Sequence, residues 1–177
     1  MTSDWEAVPG EPTEEDLAEL FFLVGSQVRR YARGLTRRMD CEDIVSETIL
    51  RLKGYLDRRP GERPDSVVAV ALRIARNLVV DEVRRTRRQV LLPAEEFTSA
   101  ECFRVEDFTE RRAEILDAFA ALRELPGDLR EVVTLVCLNE RTVAEAADLL
   151  GISVRTAQRR YRKGRERLWR ALGSRDR

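Results

Sequence analysis

The sequence predicts an all-α protein of two small helical domains joined by an acidic linker, the C-terminal domain carrying a helix-turn-helix. Three observations predict it. Apolar residues recur at spacings of three and four through most of the chain, with no strand-like alternation to rival them. Residues Gln89 to Thr109 lose that period, include Pro93 and carry Glu95, Glu96, Glu101, Glu106 and Asp107, which reads as a linker. The stretch from Thr142 to Leu168 reads as two helices about a glycine, the second heavily basic.

Taken in order, Met1 to Thr13 contains Pro9, Gly10 and Pro12 and reads as a disordered acidic leader (residues 1–13). Thr13 or Glu14 opens a first helix with Leu17, Leu20, Phe21, Val24, Val28, Tyr31 and Leu35 on one face and arginines between them. Gly25 marks a candidate break in it. Asp40 can cap a second helix, whose predicted buried stripe is Ile44, Val45, Thr48, Ile49, Leu52 and Leu56. Asp40, Glu42, Asp43 and Glu47 make its start acidic. Complementing the helix dipole would account for them. Arg51 and Lys53 follow, however, and leave a mixed exposed face that fits an interaction surface.

Arg58 to Ser66 is a loop by its Pro and Gly content, and Asp65 or Ser66 caps a third helix running to about Arg88. Val68, Ala71, Leu72, Ala75, Leu78, Val79 and Val83 face its core. Arg73, Arg76 and Asn77 lie toward another side, and Arg84, Arg85, Arg87 and Arg88 form a basic end suited to phosphates. This first domain spans 14–88 and the linker 89–109.

In the second domain, 110–177, Thr109 or Glu110 begins a helix with Ile115, Leu116, Phe119 and Leu122 expected inward. Pro126 and Gly127 punctuate, and a fifth helix follows with Leu129, Val132, Val133, Leu135, Val136 and Leu138 apolar. Thr142 and Glu145 have capping-box spacing. Val143, Ala146, Ala147 and Leu150 give the sixth helix a small-residue face, Gly151 ends it, and Ser153 is a ready N-cap for the seventh. There Val154, Ala157, Tyr161 and Leu168 are expected inward, with Arg155, Thr156, Gln158, Arg159, Arg162, Lys163 and Arg165 on the other faces. That is the grammar of a helix-turn-helix whose second helix enters the major groove. A solvated basic helix in an ordinary hairpin is the plainer alternative, and the coincidence of glycine turn, small-residue packing and basic second helix weighs against it.

The 177 residues carry 32 Lys and Arg against 32 Asp and Glu, a formal charge of zero. Their distribution is uneven. Every charged residue among the first twenty is acidic, whereas Ser153 onward sets ten Arg or Lys against Glu166 and Asp176. Histidine is absent, which excludes Ser-His and Cys-His mechanisms. Cys41, Cys102 and Cys137 are far apart and lack CxxC spacing, so reduced thiols are expected instead of a zinc site or disulfide framework. No apolar run of about eighteen residues and no signal pattern appear, and the expectation is a soluble, cytoplasmic chain without membrane insertion. No catalytic residue, metal or cofactor is expected.

These residues together resemble the extracytoplasmic-function group of bacterial sigma factors, the minimal members of the sigma-70 family. Asp40-Cys41-Glu42-Asp43-Ile44-Val45-Ser46-Glu47-Thr48 looks like the family's acidic helix motif, and Arg73-Ile74-Ala75-Arg76-Asn77-Leu78-Val79-Val80-Asp81 is similar to its downstream helix. Leu125-Pro126, Ala144 to Ala147 and Gly151-Ile152-Ser153-Val154-Arg155-Thr156 look like its C-terminal domain. The resemblance implies a subunit that binds core RNA polymerase and directs it to bipartite promoter DNA. It implies core docking through Asp40, Glu42, Asp43 and Glu47, and minus-10 contacts from Arg73, Arg76 and Asn77, with Arg84, Arg85, Arg87 and Arg88 on the backbone. It implies minus-35 contacts from Arg155, Thr156, Gln158, Arg159, Arg160, Arg162 and Lys163. An anti-sigma factor is a further partner that the resemblance leaves open. Where family members commonly place aromatics before the downstream helix motif, Val67 and Val70 stand here. The competing readings are a stand-alone regulator that dimerises on duplex DNA, and a helical adaptor with no DNA role.

Overall fold

Seven helices account for the regular structure that the computed structural model describes, which covers residues 14–35, 41–58, 66–88 and 109–173. Asp40, Asp65, Cys102 and the predicted leader and linker lie outside the described residues, apart from Thr109, which opens the fourth helix. The chain divides into two compact units, one of Met1–Ala32 with Met39–Glu95 and one of Arg33–Arg38 with Glu96–Arg177.

The first unit holds α1 (Glu14–Leu35) as far as Ala32, α2 (Cys41–Asp57) and α3 (Val67–Arg88), all amphipathic helices. Leu20, Val24, Val28 and Tyr31 of α1 are buried with Ile44, Val45, Thr48 and Leu52 of α2 and with Val68, Ala71, Leu72, Ala75 and Val79 of α3. Cys41 joins them as a buried free thiol. Gly25 does not break α1. A Cβ there would sit 3.5 Å from Val45 Cγ1, so the glycine lies where α1 meets α2 and helix packing offsets its low propensity. Ser66 is the cap of α3, its hydroxyl accepting from the Ala69 N–H at 3.2 Å.

The second unit holds α4 (Thr109–Glu124), α5 (Gly127–Cys137), α6 (Val143–Leu150) and α7 (Val154–Gly173). Leu122 and Leu125, at and just after the end of α4, meet Leu129 and Val133 of α5 in a buried cluster, with Leu138, Tyr161 and Leu168 packed against it. Arg130 ties the junction by donating twice to the Leu125 carbonyl, at 2.8 and 3.2 Å. Ile115 and Leu116, expected inward, are exposed, Leu116 by 43 %. The cluster receives α4 through its last turns, and upstream of them Ile115 and Leu116 are exposed among the described residues.

Candidate nucleic-acid interface

Position in the second unit begins with the capping box. The Thr142 hydroxyl accepts from the Glu145 N–H at 3.2 Å, and the Glu145 carboxylate accepts from the Thr142 N–H and hydroxyl, each at 2.7 Å. Those bonds, the hydroxyl's first, hold the Glu145 carboxyl below its ordinary pKa. Gly151 closes α6 in the left-handed region at φ 65°, which glycine adopts without a Cβ penalty. Its N–H returns to the carbonyls of Ala147 and Asp148. One residue after Ile152, the Ser153 hydroxyl caps α7 by accepting from the Thr156 N–H at 3.2 Å. Two capped helices thus flank a turn of fixed geometry.

The inner side of α7 is fixed by Ala157, fully buried, and by Gly164. A Cβ at Gly164 would fall 2.5 Å from Val133 Cγ2 and 3.4 Å from the Leu129 carbonyl oxygen, so α5 and α7 approach closely there. Composition hides this glycine among arginines, and its spacing of seven from Ala157 is the signal that finds it. Tyr161 packs beside the cluster, its hydroxyl 3.8 Å from Cys137 Sγ, with Arg165 over its ring at 5.8 Å. Burial first, then the contact with Cys137, pushes the Tyr161 hydroxyl's pKa up.

With that side fixed, Arg155, Gln158, Arg159, Arg162 and Lys163 are exposed. Two predicted members behave differently. The Thr156 hydroxyl lies 2.9 Å from that of Ser153 as part of the cap, and Arg160 turns toward α5, its Nε 3.3 Å from Asp128 Oδ2. Arg160 sits 60° of helical rotation from Ala157 and shares the packed edge for that reason. Val154, expected inward, is exposed because it is the first residue of α7, ahead of the turn that meets the core.

In the first unit, Glu42 is gripped by Arg29 of α1 through two bonds, Nε to Oε1 at 2.6 Å and Nη2 to Oε2 at 2.7 Å. Glu47 pairs with Arg51 one turn on, at 2.6 Å. Asp43 is exposed on the same strip of α2 as Glu47. Leu50 completes that strip at 66 % exposure, an outward apolar residue that periodicity alone misses because it directly follows Ile49, whose predicted place is on the buried stripe.

On α3, Arg73 and Asn77 are exposed one turn apart, Arg76 is half-buried, and Arg85 pairs with Glu82 at 2.7 Å. The side chains of Arg84, Arg87 and Arg88 lie outside what is described. Val67 is 2 % exposed and belongs to the core. It therefore offers no stacking surface. Val70, half-buried, falls at helical spacing with Arg73 and Asn77 and is the one of the two valines on their face.

Family models match both segments: "Sigma-70 region 2" over residues 21–89 and "Sigma-70, region 4" over residues 116–168. The ECF RNA polymerase sigma factor SigM of Mycobacterium tuberculosis is 30 % identical over 161 residues, covering 88 % of this chain and 76 % of the relative. The chain belongs to the ECF sigma factors of the sigma-70 family. SigF of Caulobacter vibrioides, another ECF sigma factor, is 32 % identical over 136 residues, 74 % of this chain and 71 % of that one. Two solved structures share the fold. The sigma factor RpoE in complex with the anti-sigma factor NepR from Bartonella quintana superposes with a TM-score of 0.69 at 23 % identity, covering 90 % of this chain and 98 % of that one. CnrH in complex with the cytosolic domain of CnrY gives 0.62 at 23 % identity, covering 92 % and 90 %. The family is one of transcription initiation factors, and among the described residues no helix is long and apolar enough to cross a membrane.

Proposed function

We propose that this ECF sigma factor binds core RNA polymerase in the cytoplasm and directs it to a bipartite promoter, the first unit taking the minus-10 element and the second the minus-35 element. The observation that carries the reading is the outward display of Arg155, Gln158, Arg159 and Arg162 on a helix whose inner side is fixed by Ala157 and Gly164. Arginine pairs bidentately with guanine and glutamine with adenine, which makes Arg159 and Gln158 the base readers. Arg155, Arg162 and Lys163 hold phosphates and set register.

Core docking falls to the head of α2. Asp43 and Glu47 offer carboxylates to a basic partner, Leu50 between turns offers the apolar centre that stable interfaces require, and Glu42 is held ready by Arg29. On α3, Arg73 and Asn77 face the melted minus-10 strand, with Arg76 beside them. Capture of an extruded base needs a pocket and electrostatic guidance, and the bond-making chemistry belongs to the polymerase.

Run-off transcription with purified core enzyme tests the reading. Addition of the chain starts transcripts at discrete genomic promoters, and Arg159→Ala changes which promoters respond. Absence of a transcript from every promoter, or a palindromic footprint made without polymerase, overturns it.

A further inference from the structure

Trp169 projects from the far part of α7 with 71 % of its surface exposed, among exposed Arg165, Glu166, Arg167 and Arg170. The buried cluster of the second unit engages Tyr161 and Leu168 from this helix and leaves Trp169 out of it. A single exposed apolar residue is ordinary. The register of this one is not. Gln158, Arg162, Arg165 and Trp169 follow one another at four, three and four residues, a single row along the helix, and every member is exposed.

Distance decides what the end of that row meets. Eleven residues of α-helix place Trp169 about 16 Å beyond Gln158. The major groove is about 12 Å wide. In a docking where α7 meets the bases with residues near its N-terminal end, Gln158 at the base edges leaves Trp169 at the lip of the groove, where the sugar–phosphate backbone runs. The electrostatic setting agrees. Glu166, the carboxylate of α7 closest in sequence to Trp169, is engaged by Arg170 at 2.6 Å, so its charge is compensated where phosphates would approach. Indole chemistry suits the place, since a flat apolar ring covers a deoxyribose while its one N–H donates to a phosphate oxygen.

We infer that Trp169 is a backbone contact of this sigma factor, its ring on a deoxyribose and its N–H on a phosphate at the lip of the groove whose bases Gln158 and Arg159 read. The inference rests on the minus-35 assignment proposed above. It adds a positioning contact that carries no base preference, so it extends the footprint of α7 and leaves its specificity to the residues near the helix start.

Hydroxyl-radical footprinting reports deoxyribose exposure directly. Full-length chain reconstituted with core polymerase on promoter duplex is compared with Trp169→Ala and Trp169→Phe holoenzymes, with circular dichroism confirming the helical content of each chain. In the wild type, sugars flanking the base-read segment are protected. Trp169→Ala exposes those sugars alone and lowers promoter affinity about fivefold, the loss of roughly one net hydrogen bond and its packing. Trp169→Phe keeps much of the sugar protection and loses part of the affinity, and base preference stays the same in both. An unchanged footprint and affinity in Trp169→Ala overturns the inference while the sigma reading stands. A defect in core binding with an intact DNA footprint also overturns it, by assigning Trp169 to a protein partner. If wild-type holoenzyme protects no promoter, the minus-35 assignment fails and takes the inference with it.

Discussion

Asp43 and Glu42 are neighbours with different duties. Glu42 is already committed to Arg29 of α1, an exposed pair worth about 0 to 1 kcal/mol that steadies the head of α2 more than it stabilises the unit. Asp43 stands exposed beside it, in line with Glu47 and Leu50. Asp43→Arg is therefore expected to weaken core binding about tenfold or more, because it places a like charge against a basic partner. Glu42→Gln is expected to cost about twofold, since its carboxylate is shared. Equilibrium titration of labelled chain with purified core separates the two, and equal losses would show that the four carboxylates act as one undivided cluster. A second residue-scale expectation follows from Val67 and Val70. The family resemblance made both candidates for a missing stacking platform, but Val67 is core, a distinction that depends on how the helices pack and is invisible in the sequence alone. Only Val70 shares a face with Arg73 and Asn77. Val70→Phe adds a ring where a base can stack, and about 1 kcal/mol of stacking raises affinity for single-stranded minus-10 DNA about fivefold. Fluorescence anisotropy of holoenzyme on that strand measures it, with Val67→Phe as the contrasting variant that overpacks the core and destabilises the first unit.

At the scale of elements, the caps were legible and the packing partners were not. Thr142 with Glu145, Gly151 and Ser153 are local signals, set by backbone groups three or four residues away, and the structure uses each as the sequence reads. The inward sets of α4 and α7 depend on what lies across from them. Ile115, Leu116 and Val154 satisfy helical periodicity yet sit beyond the reach of α5 and α6, while Gly164 is inward because α5 crosses α7 there at close quarters. That crossing holds α7 in place. Gly164→Ala forces a methyl to 2.5 Å from Val133 Cγ2, beyond what a side chain can accept without moving. The better intrinsic helix propensity of alanine returns about 1 kcal/mol. Overpacking typically costs about 1 to 3 kcal/mol, so a net loss is expected, read as a lower denaturation midpoint. The companion variant Val133→Ala with Gly164→Ala makes room for the methyl and recovers part of that loss beyond additivity. If the single variant is as stable as wild type, α7 can slide on α5 and the close crossing does not fix its register.

For the whole molecule, zero net charge with a basic C-terminal helix and acidic segments elsewhere in the sequence means that long-range attraction to DNA is weak and that recognition has to come from local, correctly spaced contacts. The sequence announces this through the segregation of its charges. It does not announce distance, because under the proposed function the separation between the two reading surfaces would be set by how both are held once polymerase and promoter are present. Under the proposed function a single chain reads two promoter elements, and the second binding event is favoured by the first only when spacing allows both at once. DNA turns once in about 10 to 10.5 base pairs. Inserting five base pairs between the elements rotates the minus-35 face by about half a turn away from α7 while leaving every base in each element unchanged. Run-off transcription is expected to fall about tenfold or more, and to recover little at ten inserted pairs, where the face returns but the distance has grown by about 34 Å. In the inserted promoter Arg159→Ala should have almost no further effect, because α7 no longer reaches its bases. Full transcription from the five-pair insertion would mean that one element suffices, and the division of labour between the two units would have to be abandoned.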